Sequence, residues 1–154
     1  MSAASDPPPR PSPLPPRDPS RPSRILVADD DAEMLELVGD GLRAEGHDIV
    51  EESDGGRLLV RVAAVYARAP TIDPVDLIVA DIRMPVCSGF DILKAIREVH
   101  WPTPVILMTA YGGSEVRRRA TDLGAVVLDK PFELRTLCEK VRDLLLYTLP
   151  RLPR

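Results

Sequence analysis

Asp76-Leu77-Ile78-Val79-Ala80-Asp81-Ile82-Arg83-Met84-Pro85 carries a mostly apolar run, rich in β-branched residues, into a single acid, and a proline follows four residues later. The pattern predicts a buried strand over 76–81 that ends in a turn. Asp81 then stands at the strand's C-terminal end. In an open parallel α/β sheet that edge is where ligands bind, because the loops leaving it converge on a crevice where the strand order reverses. An acid that merely opens a turn is the plainer reading of Asp81 alone. Three other strand ends point to the same spot.

Upstream, Ile25-Leu26-Val27-Ala28 predicts a short buried strand running into Asp29-Asp30-Asp31. Three adjacent acids repel one another and need a cation, protonation or open water. Asp31 has a simple task as the N-cap of a helix over about 32–45, whose Met34, Leu35, Val38 and Leu42 recur at helical spacing. Capping leaves Asp29 and Asp30 unexplained. A weaker strand is expected around Ile49 and Val50, then a turn at Ser53-Asp54-Gly55-Gly56 and a helix to about Arg68. The connection 69–74 is long for a compact α/β unit and is expected to be exposed.

Downstream, Phe90, Ile92, Leu93 and Ile96 mark a third helix, and Val105 to Met108 a fourth strand that places Thr109 at its end. Gly112-Gly113-Ser114 opens a short polar helix whose Arg117, Arg118 and Arg119 are a solvated face or, more sharply read, a docking surface. Ala125-Val126-Val127-Leu128 predicts a fifth strand ending at Asp129-Lys130-Pro131-Phe132. A last helix over about 133–147 should bury Leu134, Leu137, Val141 and Leu144. Strands and helices in strict alternation imply an α/β domain with a parallel sheet covered on both faces.

The remaining composition sets limits. The 154 residues, 44% of them apolar, suit one domain with a sizeable core. A net charge of −4 argues against direct nucleic-acid binding, which calls for a clustered basic face. No apolar run is long enough for a membrane span and the first residues form no signal peptide, so a cytoplasmic location is expected. Cys87 and Cys138 have neither metal-ligand nor disulfide spacing, and Cys138 reads as a packed helix residue. Residues 1–23 hold nine prolines and almost no large apolar side chain, so they are expected to form a disordered tail. The Pro-x-x-Pro spacing from Pro13 to Pro16 arises readily by chance in such a segment. The domain is placed at 24–147, followed by a short C-terminal tail, 148–154, with no output domain expected.

With the first strand between the second and third, Asp29, Asp30, Asp81, Thr109 and Lys130 converge. Magnesium takes hard oxygen ligands and would let crowded carboxylates stay ionised. A lysine supplies a point positive charge for a phosphate oxygen, and a threonine hydroxyl can donate to another. The set describes phosphoryl transfer to a carboxylate.

These residues resemble the receiver domains of two-component response regulators. The likeness covers about residues 24–147 and rests on the acid cluster after the first strand, Asp81-Ile82-Arg83-Met84-Pro85, Thr109-Ala110 and Lys130-Pro131-Phe132, all in order. It implies a flavodoxin-like, doubly wound (βα)5 three-layer sandwich with parallel strand order 2-1-3-4-5. It implies that Asp81 accepts phosphate from a sensor histidine kinase or phosphotransfer protein. Asp29 and Asp30 would hold Mg2+ with Asp81 and the Arg83 backbone carbonyl, while Thr109 and Lys130 sense the phosphoryl group. A cis Lys130-Pro131 bond is also implied. The chain is then a stand-alone phosphoacceptor, not a turnover enzyme, that signals through a downstream protein on its 112–147 face or through a phosphorylation-dependent dimer.

The departures are specific. Val127 stands three residues before Lys130, where the family usually has a Tyr or Phe that turns inward as the site is modified; a valine has no ring to swing. Val86 replaces a small or glycine residue common after the Met-Pro pair, which is expected to strain that loop. Arg83 and Tyr111 are both large and flank the site, predicting hindered water attack and a long-lived phosphoryl group. Two other readings compete: a receiver-like scaffold that binds its partner whether or not Asp81 is modified, and a magnesium-dependent phosphatase with Asp81 as nucleophile. The phosphatase needs a general acid close after the nucleophile, where Arg83 stands.

Overall fold

The computed structural model describes residues 20–67 and 75–147. Five parallel strands form one sheet in the order β2-β1-β3-β4-β5. The strands are β1 (Arg24–Ala28), β2 (Asp48–Glu52), β3 (Leu77–Asp81), β4 (Val105–Thr109) and β5 (Val126–Asp129). Between and after them run α1 (Ala32–Ala44), α2 (Gly55–Tyr66), α3 (Gly89–Glu98), α4 (Ser114–Asp122) and α5 (Leu134–Tyr147). The expected doubly wound, flavodoxin-like sandwich and its strand order are both present.

Successive strand residues point to opposite faces, so each central strand feeds two cores. Leu26, Ile78 and Leu107 pack with Leu58, Val62, Ile92 and Ile96 of α2 and α3. Ile25, Val79 and Ile106 pack with Val38, Leu42, Leu137 and Val141 of α1 and α5. β3 and β4 are buried at every position, which is why they read as unbroken apolar runs. β2 lies at the sheet edge with Glu51 half-buried, and its polar half made it faint in sequence. In α5 it is Leu145 that is buried while Leu134 and Leu144 are half-buried, a small shift of the helix face from the expected one.

Caps fix the helix starts at the functional edge. Asp31 accepts from the amides of Glu33 and Met34, as its position predicted. Ser88 and Asp91 form a reciprocal capping box at the start of α3. Arg97 ties the opposite end together: its guanidinium donates to the carbonyls of Leu123, Trp101 and Thr103 at 2.6, 2.7 and 2.9 Å. It holds the C-terminus of α4 to the segment entering β4.

Ordered contacts begin a few residues before the boundary at Arg24. Ser23 is buried and its carbonyl accepts from Asp48 N, and Arg21 pairs with Asp76 at 3.2 Å. One contact uses backbone and the other a partly buried ion pair, so apolar composition gave no sign of them. The rest of the expected tail, its Pro13–Pro16 spacing, the connection 69–74 and the C-terminal tail 148–154 lie outside the described residues. Among the described residues no helix is long and apolar enough to cross a membrane.

Candidate functional site

The reversal of strand order between β1 and β3 places Asp29, just past β1, beside Asp81, the last residue of β3. Asp29 is fully buried; its amide donates to the Glu52 carbonyl at 3.2 Å, and its Oδ1 accepts from Asp31 N at 3.0 Å. Asp30 is exposed at the mouth. One carboxylate oxygen from each of Asp29, Asp30 and Asp81 lies within 4.8 Å of the others.

Lys130, just past β5, closes the cluster. Its Nζ donates to Asp29 Oδ2 at 2.8 Å and lies 3.4 Å from Asp81 Oδ2. Burial pushes the Asp81 carboxyl above its ordinary range, and the Asp29 charge pushes the same way against the pull of Lys130. Burial alone would lower the Lys130 ammonium, but the hydrogen bond and charge of Asp29, helped by Asp81, hold it above its ordinary value. The site thus carries surplus negative charge that one ammonium leaves partly uncompensated. Clustered hard oxygen donors, one of them open to solvent, fit a divalent cation that keeps several waters.

Thr109 ends β4 and is buried; its Oγ1 accepts from Tyr111 N at 3.1 Å, and its carbonyl accepts from Lys130 N at 2.8 Å. The hydroxyl hydrogen is left to donate elsewhere. The Lys130-Pro131 peptide is cis. Arg83 N approaches Asp81 Oδ1 at 3.4 Å, which sets the Arg83 main chain against the carboxylate. The Arg83 guanidinium turns outward over the Tyr111 ring, 5.0 Å from its centroid. A side chain on Gly89 would collide with the Asp81 carbonyl, so glycine lets α3 start this close to the site.

Val127 lies in mid-β5 opposite Leu107, half-buried against the core. Val86 has φ 72 with its side chain 90% exposed. A β-branched residue there costs about 1–2 kcal/mol, so the strain expected of this departure is present. Val86→Gly removes the strain, loses no buried contact, and gives back part of the gain as chain entropy. Urea unfolding should show a net stabilisation of about 1 kcal/mol.

Every predicted side chain at a strand end is therefore at one edge, and the Glu52 carbonyl that anchors Asp29 was missed. A backbone acceptor leaves no mark in residue type. The model of the response regulator receiver domain matches residues 25–142. The chain is 36% identical over 124 residues to the transcriptional regulatory protein CpxR of Escherichia coli K12, covering 80% of this chain and 49% of the relative. Over 122 residues it is 40% identical to the response regulator protein PmrA of Pseudomonas aeruginosa, covering 79% of this chain and 52% of the relative. It therefore spans about half the length of these curated relatives. Among solved structures, the receiver domain of the Francisella response regulator 1452 superposes with a TM-score of 0.72 at 29% identity, covering 82% of this chain and 98% of that one. An acid cluster of this kind is where such domains typically bind Mg2+. The chain belongs to the receiver-domain family of two-component response regulators.

Proposed function

We propose that the protein accepts a phosphoryl group on Asp81 from a histidine kinase or phosphotransfer protein in a phosphorelay. The observation that carries this reading is Lys130 Nζ set between the buried Asp29 and Asp81 carboxylates. An Asp81 oxygen forms the P–O bond as the donor's P–N bond breaks, and the released imidazole takes a proton from water. Lys130 meets a phosphoryl oxygen as a point charge, and the Thr109 hydroxyl donates to another. Asp29, Asp30, Asp81 and the Arg83 carbonyl would hold Mg2+, which supplies charge neutralisation for the incoming phosphoryl group. The chain acts on its own carboxylate, so it is a phosphoacceptor and not an enzyme on a separate substrate. An independent phosphatase would need a general acid at Arg83, and a guanidinium does not give up its proton.

The output we propose is a protein contact made in the cytoplasm, as by a stand-alone receiver. The face at 112–147 suits this task. α4 buries only Ala120 and has no side-chain N-cap, while Arg117 pairs with Asp129 next to Lys130. Arg119 stacks on Phe90 of α3 at 4.3 Å. A lightly held helix tied to the site's edge can shift when the charge there changes.

Val127 favours a second reading, a scaffold whose outer face is uncoupled from Asp81. Beryllofluoride with magnesium, a stand-in for the phosphoryl group, separates the two in amide NMR spectra. We expect shifts at the site and across 112–147. Shifts confined to residues around Asp81 would contradict the switch and leave the scaffold.

A further inference from the structure

α2 is apolar nearly all round. Leu58, Val62 and Val65 face the core, yet the outward face also lacks polar residues: Gly56, Val60, Ala63 and Ala64 form its centre. Val60 is 70% exposed, Leu59 41% and Tyr66 39%. Arg57 and Arg61 edge this strip, already engaged by Asp54 and Glu52. A helix that is apolar all round is normally covered on both sides.

We propose that the strip is covered by this chain's own proline-rich segment, residues 7–16, lying along α2 in an extended polyproline conformation. The topology brings the two together. α2 crosses from β2 to β3 over β1, so its C-terminus with Tyr66 lies at the sheet edge where β1 begins. The chain reaches that edge through Arg21 and Ser23. The described chain therefore begins, at Ser20, at the same edge of the sheet as Tyr66.

Reach is ample. The 12 residues of α2 span about 18 Å, and 19 residues of polyproline helix extend about 59 Å. Chemistry also matches, since residues 7–16 are seven prolines with Arg10, Ser12 and Leu14. Proline rings and a leucine give an apolar surface that is already stiff and loses little entropy on docking. Tyr66 supplies an aromatic face of the kind such segments pack against.

Size decides between occupants. A strip one helix wide and about 18 Å long is far below the roughly 800 Å² per partner of a stable interface between separate proteins. A tethered segment is present at an effective concentration in the millimolar range, where so small a patch suffices.

The test uses the full chain with a nitroxide on Cys introduced at Ser12, Cys87→Ser removing the more accessible native thiol. Amides of 59–66 and the indole N–H of Trp101, the only tryptophan, whose ring lies 6.5 Å from that of Tyr66, should lose about half of their intensity or more. Val60→Asp, at an exposed position, should restore them while α1 and β3 amides stay in place. Broadening on another surface, or broadening of α2 that Val60→Asp leaves intact, overturns the proposal. So does broadening that vanishes when labelled chain is diluted into unlabelled chain, which would place the segment on a second copy.

Discussion

Lys130→Ala should lower the rate of phosphoryl uptake from acetyl phosphate by about 100-fold, the scale expected when one preorganised charge on a transferring group is lost. The same change should destabilise the metal-free protein by about 3 kcal/mol, because it removes one partner from a buried charge pair. The reason is visible in the geometry. Asp29 is fully buried and its Oδ2 depends on Lys130 Nζ at 2.8 Å, while Asp81 already carries a raised pKa from burial and from Asp29. Without the ammonium, two neighbouring carboxylates share a desolvated pocket. Magnesium, which uptake requires in both proteins, should recover much of the variant's stability and leave its rate defect in place, since the metal offsets charge but does not replace a donor at the lysine position. Urea unfolding with and without magnesium, set beside adduct formation, checks both parts. A variant that reaches the wild-type rate in saturating magnesium would show that Lys130 serves only to neutralise the acids.

Tyr111→Ala should shorten the life of the phosphoryl group about fivefold. Arg83 lies over the Tyr111 ring at 5.0 Å, and the two residues leave the site side by side, with Arg83 N at Asp81 Oδ1 and Tyr111 N at Thr109 Oγ1; the stacked pair is expected to act as a cover. An exposed cation–π contact is worth about 0.5–1 kcal/mol, and 1 kcal/mol of easier opening corresponds to roughly fivefold in rate. Because both residues make one contact, Arg83→Ala should give a similar gain, and the double variant should add little to either. Decay of the phosphorylated species, followed by intact mass after removal of phosphodonor, measures this. Two fully additive effects would mean that each side chain blocks water separately, and no effect would remove the cover from the account.

The sheet and site were legible in sequence for one physical reason. Parallel strands buried on both faces become apolar runs, and functional groups stand where those runs stop, as at Asp29, Asp81, Thr109 and Lys130. Strand order was not legible locally, because pairing between β1 and β3 depends on contacts more than 50 residues apart; it came from resemblance. Edge strand β2 was faint since one side of it meets water. The role of Arg97 left no mark in sequence, because its three acceptors are backbone carbonyls that any residue could supply. Val86 was flagged by its departure from a small residue, and its positive φ accounts for the flag. The Arg83–Tyr111 contact was anticipated as bulk near the site, but its stacked geometry required the structure.

The most direct measurement is intact mass after incubation with magnesium and acetyl phosphate, comparing wild type with Asp81→Asn. One phosphoryl adduct is expected on the wild type, lost on omission of magnesium and absent from the variant. An adduct that persists in Asp81→Asn, or none on the wild type while magnesium binding is confirmed separately, would contradict it.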